Sequence, residues 1–182
     1  MKNIEKHAWQ YSALDKGVTD RFKKIGDLGE SLAEKLLKKN GFKNVKNLNK
    51  TTKNNNKYAD IFAEHGNQAY VISVKTRNKF ENTGRLNSRY KLGKDCYEFA
   101  KQAETEHRAK AAWVTISLDI DKKIFDAYFG LLSDLEGNTG VLMTPDATRN
   151  YKCLAFHYLF EKMGLTEDKY VHLKNTYKPR KN

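Results

Sequence analysis

Asp60 and Lys75 stand at the two ends of a segment that reads as a hairpin. Tyr58-Ala59-Asp60-Ile61-Phe62-Ala63 and Ala69-Tyr70-Val71-Ile72-Ser73-Val74-Lys75-Thr76 are runs of strand-forming residues on either side of Gly66-Asn67. In an antiparallel pair the start of the first strand returns beside the end of the second, so this carboxylate and this ammonium meet at the hairpin's open end. That pair is the minimum equipment for metal-assisted phosphodiester hydrolysis. The carboxylate holds a divalent cation, and the ammonium stabilises the charged phosphorane or assists the attacking water. Ser73 lies between them in the chain. A neutral hydroxyl there cannot supply a second negative charge to a hard cation.

Several elements must hold that hairpin. Phe22, Ile25, Leu28, Leu32, Leu36 and Leu37 recur at helical spacing, Thr19 is a candidate N-cap, and Asn40-Gly41 is a stop, which predicts a helix over 20–39. Residues 42–48 read as an edge strand and 49–57 as a polar loop. The hairpin strands fall near 59–64 and 69–76. Residues 77–93 read as a long basic loop, residues 94–109 as a helix, and 111–118 as an apolar strand buried on both faces. Further strands are expected at 124–132, 141–144 and 151–156, then one or two short helices ending near Lys174. A strand–helix–strand step over 69–118 predicts a parallel crossover with its helix on one face, leaving the first helix for the other. The expected architecture is α/β: a three-layer α/β/α sandwich around a mixed sheet. We divide the chain into an arm at 1–18, a core at 19–135 and an extension with a basic tail at 136–182.

The charge points to a polyanion. The 182 residues carry a net charge of +12. From Lys35 to Lys57 there are eight lysines and no acid, and from Arg77 to Lys94 six basic residues against Glu81 alone. These runs flank the hairpin, so Lys53, Lys57, Arg77, Lys79, Arg85, Arg89 and Lys91 are the expected contacts to DNA phosphates. No apolar run approaches the ~20 residues of a membrane helix, and the first residues lack the apolar core of a signal peptide. Cys96 and Cys153 form no pair motif. Together these features fit a cytoplasmic protein with no membrane partner and argue against zinc. The five histidines lack ligand spacing. No Gly-x-Ser-x-Gly elbow or phosphate-cradling glycine loop appears, which removes serine hydrolases, NTPases and dinucleotide enzymes. Tyr90, Tyr97, Tyr128 and Phe129 are either base-stacking or core aromatics.

Gly26-Asp27-Leu28-Gly29-Glu30-Ser31-Leu32-Ala33, then Asn40-Gly41-Phe42, Ala59-Asp60-Ile61 and Val74-Lys75-Thr76-Arg77, resemble the core of the PD-(D/E)XK, or restriction-endonuclease-like, nuclease superfamily. The likeness is to archaeal Holliday-junction resolvases and YraN-like proteins, and it covers about residues 25–77. It implies a Mg²⁺- or Mn²⁺-dependent endonuclease acting on DNA. It implies Asp60 as the metal-binding carboxylate, Lys75 as the catalytic lysine and Glu30 as a helix-borne acid at the metal or its water. Small neighbours Gly26 and Ala33 favour that aim for Glu30. Many proteins of this fold act as dimers, so a homodimer is among the states it implies. Ser73 departs from the pattern, and three readings stay open. The second acid has moved to the following helix, with Glu98 the first candidate and Asp95 the next, as in a branch of type II restriction enzymes. Or Asp60, Glu30 and the Val74 carbonyl suffice. Or the domain binds DNA without cutting it.

Overall fold

The leucine spacing of the first helix is what anchors it. In the computed structural model, α1 spans Lys2–Lys39. Ile25, Leu32, Leu36 and Leu37 are buried on one side of it, while Phe22 is left exposed. The structure describes residues 2–51 and 56–174, with the backbone alone over 2–19 and at 51. Helix runs on through the stretch divided off as an arm, past the expected start at residue 20, because neither Gly17 nor Thr19 stops it. Either residue inside a helix costs only about 0.5–1 kcal/mol, less than a proline break.

The strands follow as β1 (Lys43–Asn47), β2 (Ile61–His65), β3 (Gln68–Asn78), β4 (Arg89–Lys91), β5 (Lys110–Asp119), β6 (Ile124–Leu131), β7 (Gly140–Leu142) and β8 (Lys152–Leu159). A short α2 (Leu48–Thr51) opens what reads in sequence as a polar loop. α3 is Cys96–His107, α4 is Pro145–Thr148 and α5 is Glu167–Tyr170. Six strands form one sheet in the order β1-β2-β3-β5-β6-β8. β3 and β5 pair in parallel and the other neighbours antiparallel. The parallel pair is the predicted crossover, with α3 between its strands.

Alternation along β3 sorts the two faces. Ile72 and Val74 join Leu32, Leu36 and Leu37 of α1 in one core. Val71 joins Ala100 and Ala103 of α3, with Ala111 and Trp113, in the other. This is the expected α/β/α sandwich with a mixed sheet. β8 completes the same sheet, and Phe160, Leu165, Tyr170 and Leu173 fill the α1-side core.

The segment 77–93 is more ordered than a loop. β3 runs on to Asn78, a bridge joins Phe80 to Leu86, and β4 pairs with β7 in a small second sheet. Its partner is some fifty residues away in the chain, so no local pattern announces it. Among the described residues, no helix is long and apolar enough to cross a membrane.

Candidate active site

The hairpin closes as its sequence requires. His65 pairs with Gln68 around Gly66-Asn67, and Gly66 has φ +59°. A glycine with positive φ at the first central position is the turn that matches strand twist. Register then fixes the open end. Ile61 pairs with Ile72, and the Asp60 N–H donates to the Ile72 carbonyl at 2.9 Å. There the ladder ends. The next donor, the Val74 N–H, is taken by the Asp60 carboxylate at 2.8 Å. On an extended strand a residue's N–H and C=O point to the same side. The Val74 carbonyl therefore faces the edge that Asp60 caps.

Glu30 reaches the same place from α1. The Asn49 amide donates to Glu30 Oε1 at 3.1 Å and to Asp60 Oδ1 at 3.2 Å, so one NH₂ group spans both acids. Asn47, itself buried, donates to Glu30 Oε2 at 2.9 Å and Glu34 Oε1 at 3.1 Å, and accepts the Lys50 N–H. The helix comes this close because Gly29 lies flat against Thr76, where an added Cβ would sit 1.7 Å from the Thr76 hydroxyl. Ala33 is fully buried one turn on. Gly26, the other small neighbour, faces open space and does not help.

Burial works against the charge of both acids. Burial raises the Asp60 pKa, against the Val74 N–H, the Lys75 charge, and hydrogen bonds from Asn49 and Ser73, all of which favour the ionised form. Burial also raises Glu30, which Asn47 counters and the Asp60 charge reinforces. Two desolvated acids that repel each other could both stay ionised more easily beside a cation. Among the described residues no three His, Cys, Asp or Glu side chains converge as a full cage. Two carboxylates, an amide oxygen and a backbone carbonyl could hold magnesium, an ion that takes one or two carboxylates and keeps several waters.

Ser73 is buried near Asp60 and favours its ionised form without supplying a second charge. Lys75 is half-buried and its ammonium acts on both Asp60 and the Cys96 thiol. Glu98 is exposed in the first turn of α3. Among the described residues no hydrogen bond or ion pair joins it to Asp60 or Lys75.

The basic residues divide. Lys57, Arg77, Arg85, Arg89 and Lys91 are exposed. Lys57 lies 5.3 Å over the Phe99 ring, and Arg77 5.5 Å over Phe22. Lys79 is instead ion-paired to buried Asp126 at 3.2 Å. Lys53 lies outside the described residues. Asn47 and Asn49 are the site residues that sequence reasoning missed. Asn47 falls near the end of the expected edge strand and Asn49 opens the expected polar loop, and only their spacing across the β1–α2 junction sets them apart.

No family model matches the chain, and no curated protein matches it. Among solved structures it is similar to Hjc of Archaeoglobus fulgidus, a Holliday junction resolvase from an archaeal hyperthermophile. The TM-score is 0.51 at 18% identity, over 71% of this chain and 97% of that one. The chain therefore shares the fold of that protein, a restriction-endonuclease-like one.

Proposed function

We propose that this protein is a metal-dependent DNA endonuclease whose site is Asp60, Glu30 and Lys75. The observation that carries the reading is the Asn49 amide shared between Glu30 and Asp60, which gathers two acids from different layers at the strand end that bears Lys75. The fold shared with a resolvase supports it. Asp60, Glu30 and the Val74 carbonyl would hold Mg²⁺ or Mn²⁺. Bound there, the ion would lower the pKa of a water and neutralise charge on the scissile phosphate. The chain's own residues do the rest. Asn49 and Asn47 fix the two carboxylates against their mutual repulsion. Ser73 and the Val74 N–H favour the ionised form of Asp60 against its burial, and the Val74 N–H fixes its position. Lys75 places its ammonium where charge develops on the phosphate oxygens. Exposed Lys57, Arg77, Arg85, Arg89 and Lys91 contact the backbone of the duplex.

In this reading the second acid is Glu30, and Glu98 stays outside the site. Supercoiled plasmid incubated with the protein tests the proposal, with magnesium, manganese or a chelator. Metal-dependent nicking is expected. A salt-sensitive gel shift with no cleavage under any metal would instead support a DNA-binding module, which the serine at position 73 favours as the second reading.

A further inference from the structure

A second site lies on the α3 side of the sheet and stands apart from the nuclease reading. β8 carries one more residue than β6 where they pass Asp126: Ala127 pairs with Ala155 and Phe125 with Tyr158, leaving Phe156 and His157 opposite one residue. The bulge puts His157 at φ +44° and turns Phe156 outward, 62% exposed and stacked on His157 at 4.0 Å. Bulges of this kind re-aim side chains. The Asp126 carboxylate takes the displaced His157 N–H at 2.7 Å on one oxygen and Lys79 at 3.2 Å on the other. Above this floor opens a cleft of about 490 Å³, closed on its far side by α4 and the residues around it. That volume falls in the range of small-ligand sites.

Its chemistry is specific. Tyr128, Tyr151 and Phe156 give flat walls, and Asp126, Lys79 and Ser117 set acceptor and donor side by side beneath them. A carboxylate oxygen keeps acceptor capacity beyond one bond, and an ammonium has three donors. Adjacent donor and acceptor on a flat ring is the edge of a nucleobase. Arg149 lies in the same lining, its side chain 78% exposed and 3.6 Å from the still more exposed Asp146. It is placed to take a phosphate. We propose that this cleft binds a nucleobase with its phosphate, edge on Asp126 and Lys79 and ring against Tyr128 and Phe156. The base comes either from a free nucleotide or from a nucleotide turned out of DNA. Thr115 pairs with both Lys75 and Tyr128, so the cleft begins roughly 10 Å from Lys75 by strand spacing. That is within reach of one bound strand.

The full chain, without metal, is titrated calorimetrically with each common nucleoside monophosphate to about 5 mM, well above a ~1 mM affinity. It is separately mixed with duplexes carrying 2-aminopurine, whose fluorescence rises on unstacking. Asp126→Asn keeps an oxygen for the His157 N–H and reverses the other atom from acceptor to donor. Phe156→Ala and Arg149→Gln change only exposed groups, so they remain informative if the first variant is unstable. Saturable nucleotide binding, weakened about tenfold or more by these variants, supports the site with a free nucleotide as ligand. A 2-aminopurine signal without free-nucleotide binding, lost in the same variants, supports it with DNA as the source. Neither response, or responses that none of the variants alters, overturns it. None of these readouts involves cleavage, so the test is independent of the nuclease proposal.

Discussion

A Cβ on Gly29 would stand 1.7 Å from Thr76 Oγ1, so α1 and β3 meet without room for a side chain between them. Glu30 follows the first of these residues and Lys75 precedes the second. The contact is what brings the helix acid to the strand end.

Gly29→Ala should therefore push the helix off the sheet. The expected loss is about 1–3 kcal/mol in urea unfolding, with cleavage reduced further as Glu30 leaves Asp60. Thr76→Gly in the same chain should restore part of both, giving a coupling of at least about 0.5 kcal/mol in a double-mutant cycle. Strict additivity would separate the contact from the site.

Asn49→Ala removes an amide that touches both acids. Cleavage should fall by about 10²-fold, the usual scale for a misplaced group, while DNA affinity in a gel shift holds. Asn47→Ala strips the buried partner from Glu30 and Glu34. It should cost about 1–3 kcal/mol of stability, the penalty for unsatisfied buried groups, and thermal melting measures it.

How much of this was legible in sequence follows from which contacts are local. The hairpin, Asp60 and Lys75 could be placed because turn chemistry and strand alternation are written in adjacent residues. Glu30 lies beside Asp60 as expected, with Ala33 buried as expected, but the close approach is made by Gly29 and not by Gly26. A helix period narrows the buried face but does not say which glycine meets a neighbour. Asn47 and Asn49 were passed over because an asparagine amide acquires its role only from partners brought by other elements. Order in 77–93 rests on β7, and the fate of Lys79 rests on Asp126, 47 residues away. A count of positive charge registers neither.

The basic residues should consequently separate in experiment. Neutralising Arg85, Arg89 and Lys91 together should weaken binding to all DNA sequences alike. Each lost phosphate contact should reduce the salt slope by about 0.9 on duplex. Lys79→Gln should leave that slope nearly unchanged and instead lower stability by about 1–3 kcal/mol, since Asp126 loses its cation. Fluorescence anisotropy across a salt series and urea unfolding separate the two effects. A salt slope that drops with Lys79→Gln would return that residue to the DNA surface.

Glu98→Ala distinguishes the two placements of the second acid. With Glu30 in that role, plasmid nicking by Glu98→Ala should stay within about threefold of wild type, and Glu30→Gln should lose about 10²-fold or more. The reverse order of effects would move the acid to α3.

The most direct test is Mn²⁺ titration of the DNA-free protein, followed by the spin signal of the free ion. The wild type should bind Mn²⁺ in a saturable manner, and Asp60→Asn and Glu30→Gln should each weaken that binding at least about tenfold. Glu98→Ala should bind as wild type does. Undiminished Mn²⁺ binding by Glu30→Gln and Asp60→Asn would contradict a single cation site built from the helix acid and the strand acid.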